Sequence, residues 1–416
     1  VVDGESTLIS FEANEIKSAE VEQMQGVALR GIVNGKLGFA AASGEVDPTA
    51  LVEDFLASAQ FGDRIPIVFP PSAPAPQVTT YDPDLPQVPI GRFVEIGREI
   101  VETLREADEG VQVYVDIERG VFASNLRNSA GNETQECTSS FSVTIGVERV
   151  RDDDVLVLEE SISNISLTDE YRELVQSLAR KVALARKTAR LRSGRMPVLF
   201  APAGGLVLLL PIILATNGEN VQRGISPLAD KLGVTIFDPN ITLWDDPTLP
   251  GRPDSSAYDD EGVPCRPKAL IMHGVCSAFL YDLKTAALMG TQSTGNGMRS
   301  LFSPPSPSTS NLILEPGKTS IHDLIGGIEH GLLVEDVLGL GQNNAISGAF
   351  SNVVDPAYAI EHGEIVGRVK NVSIAGNIYQ DLCQVAAISR ESIWVHGDIK
   401  MPYILLPELN VICEGR

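Results

Sequence analysis

Hydrophobic and polar positions change their period several times along this chain. Residues 341–377 show no helical repeat. Apolar side chains there alternate with polar or small ones at Ile365, Val369 and Ile374. Gly348, Gly363, Gly367 and Gly376 fall where turns or bulges would need positive φ. The pattern predicts short strands of a curved sheet that can wall a cavity. At the other end, residues 1–60 read as strand, strand, helix. Asn34-Gly35 sits between two strand-like runs and favours a tight hairpin. Asp47 is placed to cap a helix over 48–60. Residues 92–107 carry Phe93, Gly97, Ile100, Val101 and Leu104 on one helical face. Three strands follow, over 111–117, 121–126 and 138–150. In the third, Phe141, Val143, Ile145 and Val147 alternate as in a sheet with one buried face. Residues 155–165 add a further strand. Thr168 then caps what should be the longest helix, with Asp169 and Glu170 in its first turn, Leu174, Leu178, Val182, Ala185 and Ala189 as its stripe, and Gly194 beyond its end.

Later segments are punctuated differently. Residues 65–90 are proline-rich, with Pro70, Pro71, Pro74 and Pro76, and read as an ordered strap or linker. From 268 onward short strands and helices alternate, with helices expected over 281–288 and 321–330 and a Ser/Pro loop over 303–310. The expected class is α+β. An N-terminal α/β domain with an antiparallel sheet and long helices covers 1–195. An apolar strand-helix connector covers 196–240, and a β-rich domain of curved antiparallel sheet covers 241–416.

Residues 196–218 carry no charge, and Arg180, Lys181, Arg186, Lys187, Arg190, Arg192 and Arg195 precede them like a positive-inside flank. Pro202, Gly204 and Gly205 break the run. A helix over 205–215 would span only about 16 Å at 1.5 Å per residue. A buried strand plus helix is therefore favoured over a membrane span. No signal-peptide pattern opens the chain, and Val1 leads straight into a strand-like run, so a preceding segment is expected to be missing.

The net charge of -23 changes the list of partners. Nucleic-acid binding draws on Lys and Arg neutralising phosphates, so direct DNA or RNA contact is not expected. The basic residues within 180–195 read as a solvated or acid-facing surface. Five scattered cysteines do not make a disulfide framework; they fit a reducing cytoplasm.

Candidate chemistry is sparse. The five histidines form neither H-E-x-x-H nor an i, i+4 pair. His322 and His330 bracket a predicted helix, two turns apart. His273 and Cys276 are spaced to share a metal, although a buried thiol beside a surface imidazole suffices. Ser293, Thr294, Gly295, Asn296 and Gly297 read as a structural turn or as an anion-binding nest. Asp259, Asp260 and Glu261 read as a solvated acidic turn, with cation binding the alternative; Asp245 and Asp246 are read likewise.

Four blocks in order nevertheless carry a resemblance. They are Asp259-Asp260-Glu261-Gly262 with residues 270–297; residues 306–317; Gly348-Ala349-Phe350-Ser351 with residues 360–365; and Ile374-Ala375-Gly376-Asn377. Residues 26–41 and 128–131 add to them. Together they resemble the TldD/PmbA family, whose PmbA side is also called TldE and which bears the older label "modulator of DNA gyrase". The resemblance covers essentially the whole chain. It implies a two-domain TldD/PmbA-like architecture, and it implies that TldD-type members hold zinc on an H-E-x-x-x-H helix with a further thiolate near the C-terminus. Here Leu209, Leu210 and Leu214 stand at those three positions, and neither Cys383 nor Cys413 matches the thiolate. The chain thus looks PmbA/TldE-like, with no zinc of its own and no catalytic residue assigned.

What the resemblance then implies is a subunit of a cytoplasmic zinc metallopeptidase complex that handles unfolded peptides and peptide precursors. It would pair with a TldD-like, metal-bearing paralogue as a heterodimer, or with itself as a homodimer. Extended peptides would dock on strand edges, with Ser293, Thr294, Gly295, Asn296, Gly348, Phe350, Ser351, Tyr358, Ile360, Glu361 and Gly363 as the candidate surface. Two readings compete: a stand-alone homodimeric peptide-binding protein or peptidase using His273 and Cys276, and a protein-level modulator of gyrase.

Overall fold

The computed structural model describes residues 1–152, 154–342 and 344–413. Its first part comprises β1 (Val2–Glu12), β2 (Glu15–Val33), β3 (Lys36–Ser43), α1 (Pro48–Phe61), α2 (Ile90–Ala107), β4 (Val111–Arg127), β5 (Glu133–Arg151), β6 (Asp154–Asn164) and α3 (Tyr171–Leu184). The strands form one antiparallel six-stranded sheet in the order β3-β2-β1-β4-β5-β6. Asn34 and Gly35 take φ of 51° and 78°, the left-handed pair that a two-residue hairpin needs. Asp47 accepts from the Thr49 N–H and so caps α1. Phe93, Ile96, Ile100 and Leu104 of α2 and Tyr171, Val175 and Leu178 of α3 pack on the alternating face of β4 and β5, around Val113, Val115, Phe141 and Ile145.

Three expectations are corrected in this part. Residues 111–126 are one strand, not two. Gly120 continues the strand, and a Cβ there would press on Ser140 and the Phe122 ring. The longest helix is α2 rather than α3, which stops at Leu184. Beyond it the chain is claimed by the second sheet: Ala189 donates to the Arg368 carbonyl, and Arg368 donates to the Lys187 carbonyl. Gly194 opens a strand rather than closing a helix. The proline-rich stretch is an ordered strap, with Ile65, Ile67 and Leu85 buried and the Thr80 carbonyl held by the Ser139 N–H at 2.9 Å.

The second part contains β7 (Gly194–Phe200), α4 (Leu206–Thr216), α5 (Gly218–Gln222), β8 (Leu243–Asp245), β9 (Lys268–Met272), β10 (Val275–Cys276), α6 (Leu283–Met289), β11 (Gly297–Met298), β12 (Ser306–Pro307), β13 (Leu312–Leu314), α7 (Ile321–Gly326) and β14 (His330–Val334). It ends with β15 (Ala349–Val354), β16 (Ala357–Glu361), β17 (Glu364–Val369), β18 (Val372–Asn377), α8 (Ile378–Asp381), β19 (Ala387–Val395) and β20 (Ile399–Cys413). A twelve-stranded curled sheet, mostly antiparallel, branches at β20, which pairs with β7, β13, β18 and β19. The apolar segment supplies both β7, inside this sheet, and α4, inside its core. No helix among the described residues is long and apolar enough to cross a membrane. His330 begins β14 instead of closing α7, which ends at Gly326. Of the four glycines singled out in the β-rich run, Gly348 and Gly363 take positive φ. Gly367 and Gly376 are strand residues whose missing Cβ makes room for the 187–189 backbone and for Asp381 and Phe350.

A seam of buried charge joins the two parts. Arg368, 1% exposed at its side chain, donates to Asp154 at 3.0 Å and to Asp355 at 2.8 Å. Lys181 of α3 lies between Glu160 and Glu335 at 3.0 and 2.8 Å. Burial opposes its charge, but the two carboxylates more than offset that and hold its pKa well above the ordinary value. Lys181 is thus the acid-facing residue expected of the basic stretch.

Candidate peptide groove

Helix α4 is apolar nearly all round, the signature of a core helix. It carries no His, Cys, Asp or Glu. Leu209 is 2% exposed and packs with Ile241, Leu243, Leu314, Ile388 and Met401. Leu210 faces the other way, against Gly341 and beside Ala345, Ala349 and Phe350. Leu214 is half-buried. These side chains do not fit a zinc ion: leucine offers no lone pair, and Leu209 is committed to the core. Among the described residues, no group of three or more His, Cys, Asp or Glu is arranged to hold a metal.

Beside α4 lies β15, whose one strand partner among the described residues is β18; on its other side Val354 bridges to Val337. Its side chains alternate, with Phe350, Asn352 and Val354 buried and Ala349, Ser351 and Val353 exposed. The Val353 carbonyl accepts from the Leu338 N–H on the side away from β18. In an antiparallel strand the N–H and C=O of one residue point the same way, alternating along the chain. Ser351 and Ala349 therefore face outward as well. The Ala349 N–H has a long contact of 3.4 Å to the Ser347 hydroxyl. Ser351 has no outer backbone partner among the described residues. A short open edge thus runs past the Leu210 face of α4.

Gly348, Phe350 and Ser351 come together at this edge. The other candidates do not. Tyr358 and Ile360 are fully buried in β16, which is paired on both sides by β14 and β17. Glu361 ends β16, opposite His330 and Glu364, and Gly363 lies in the turn to β17, where its N–H donates to the Ile328 carbonyl. The Ser293–Gly297 turn is structural. The Thr294 N–H donates to the Tyr281 carbonyl, the Gly295 N–H to the Ser293 hydroxyl and the Gly297 N–H to Asp259. Asn296, 2% exposed, joins Asp245, Lys268 and the Ser308 carbonyl. Three of the turn's five N–H groups are thus committed within the protein, which fits the structural turn better than the nest.

The acidic residues are not a solvated turn. Asp259, Glu261 and Asp245 are 8%, 4% and 0% exposed. Asp259 accepts backbone N–H groups from Glu261, Val263 and Gly297. Burial, followed by the Glu261 carboxylate, nevertheless pushes Asp259 up to about 7. Glu261 pairs with Arg30 of β2 and accepts from the Leu283 N–H, so this turn fastens the first sheet to α6. The clue available in the sequence was that three acids preceding Gly262-Val263-Pro264 fit a self-capped turn as well as a wet one. His273 and Cys276 do not make a site. The imidazole is on an exposed turn, whereas the thiol is fully buried and pushed up to about 11 by burial.

A helix-backed antiparallel sheet joined to a curled sheet closed around an apolar helix defines a two-domain α+β protein. The chain belongs to the PmbA/TldA, or TldD/PmbA, metallopeptidase family. The family's "PmbA/TldA metallopeptidase C-terminal domain" matches residues 193–413, and its "domain 1" matches residues 1–59. The chain is 28% identical over 240 residues to a metalloprotease TldD homolog of Haemophilus influenzae, an alignment covering 54% of this chain and 49% of that protein. It thus spans about half the length of that curated relative. It resembles the structure of TldE from Thermococcus kodakarensis with a TM-score of 0.88 and 26% identity, covering 99% of this chain and 95% of the other. A Thermotoga maritima protein described as a candidate modulator of a DNA gyrase shares the fold, with a TM-score of 0.89, 24% identity, and 99% and 94% coverage.

Proposed function

We propose that this chain is the zinc-free, peptide-docking subunit of a cytoplasmic TldD/PmbA-type metallopeptidase assembly. The observation that carries this reading is the composition and packing of α4, which offers leucines where a metal helix needs imidazole and carboxylate. Its likeness to a protein named TldE supports it. Peptide bonds would be cut on the metal of a TldD-like partner. This chain's residues would bind and align the substrate. An extended peptide would add to the Ala349–Ser351 edge through main-chain hydrogen bonds, which read no side chain, so unfolded chains of varied sequence are the substrate class. The test is to assay the pure chain with an unstructured peptide, alone and then with a zinc-bearing TldD-like paralogue. Cleavage only in the mixture is expected. Cleavage by the pure chain, abolished by a chelator, would refute the assignment.

A further inference from the structure

His330 and His362 lie side by side where the β14–β16 ladder ends. His330 stands opposite Glu361 in its last pair. The His362 N–H donates to the Glu329 carbonyl at 2.8 Å and the Gly363 N–H to the Ile328 carbonyl at 2.9 Å, so the turn that carries His362 is pinned to the 328–329 backbone. The two rings meet edge to face, with centroids 5.3 Å apart. Both side chains are exposed, that of His362 by 72%. Nδ1 of His362 lies 2.5 Å from Oε1 of Glu329. A carboxylate at that distance keeps the ring proton on Nδ1 and leaves the lone pair of the neutral ring on Nε2.

We propose that His330 and His362 chelate one divalent transition-metal ion of the kind that prefers imidazole, with Glu329 as the positioning carboxylate behind His362. Two imidazoles bound to one ion at about 2.1 Å per nitrogen place their ring centroids about 5 Å apart, which is the separation found between these rings. Metal-binding histidines commonly give their other ring N–H to a carboxylate, which fixes the tautomer and the ring orientation; Glu329 is placed to do this for His362. The site is separate from α4. His330 opens β14, and Val334 at its other end packs on Gly204, just before α4. Four strand residues put about 13 Å between the two ends. Two protein ligands hold an ion loosely, with its remaining positions left to water. Washing therefore removes it, and the reading of α4 as a helix without metal ligands is unaffected. The inference does not depend on peptide docking.

Titration of the full chain with Ni²⁺, followed by calorimetry and by proton NMR of the imidazole rings, tests it. The chain has five histidines, so each ring signal can be assigned by substitution. The paramagnetic ion should bind once per chain and broaden the ring signals of His330 and His362 at lower concentration than those of His273, His322 and His396. His330→Gln and His362→Gln change exposed side chains, and each should weaken binding at least about tenfold, because each removes one arm of the chelate. Glu329→Ala should weaken it about tenfold with both rings still broadened first; an unchanged affinity would overturn the role given to that carboxylate. Broadening that begins at the other three histidines, or an affinity unchanged by either His→Gln substitution, would overturn the site. Half an ion per chain with a doubled mass would show that two copies supply the ligands, and would overturn it as well.

Discussion

Replacing Leu209 by alanine separates a packing helix from a vestigial metal helix. The side chain is 2% exposed and borders a core void of about 20 Å³. Three carbons are removed, at about 0.8 kcal/mol each, giving about 2.4 kcal/mol of lost transfer energy. The space vacated by the side chain adds a cavity cost on top, at roughly 24 cal/mol per Å³ of new volume. A loss of at least about 2.4 kcal/mol follows. Leu210→Ala, in a half-buried position on the opposite side, should cost about 1 kcal/mol. Both tryptophans, Trp244 and Trp394, lie in the second sheet, so urea unfolding followed by their fluorescence reports on this core alone. If Leu209→Ala cost no more than Leu210→Ala, the core assignment of α4 would be wrong.

Other expectations follow from the same packing. Arg368→Met leaves Asp355 without its Arg368 partner while Asp154 keeps Lys370 at 2.7 Å, and should cost about 1.5–3 kcal/mol by calorimetry, the scale of lost hydrogen bonds to a charged group; a loss below about 0.5 kcal/mol would show the seam to be incidental. Asp259 binds its proton more tightly folded than unfolded, since its pKa rises from 3.8 to about 7. The contribution is therefore fully present below about pH 4 and is lost as pH rises through 7. Thermal midpoints of Asp259→Asn at pH 5 and pH 8 should differ less than those of the natural chain, and an unchanged pH slope would contradict this. Ser351→Pro removes an outward N–H with no backbone partner, so peptide affinity should fall at least about tenfold with little change in stability. Retained affinity would move docking away from β15.

Legibility followed locality. Residues 349–377 were readable because each strand is short, alternates, and ends at a Gly, Asn or Asp-Pro turn. Asn34-Gly35 and the face of α2 were readable for the same reason. The acidic turn was not, because its burial depends on Arg30, which lies over two hundred residues away. The end of α3 was missed because residues that suit a helix are taken by the edge of β17. Tyr358 and Ile360 looked like an exposed edge because alternation marks a strand but does not say whether both sides of it are paired. For the open edge of β15, sequence placed Phe350 and Ser351 correctly at a strand, and only the topology showed which side was free.

The most direct measurement is the metal content of the pure, folded chain. Elemental mass spectrometry after washing at neutral pH should find far less than one zinc per chain, and a chelator should leave the thermal midpoint unchanged. One zinc per chain that survives washing, and whose removal lowers that midpoint, would contradict the account.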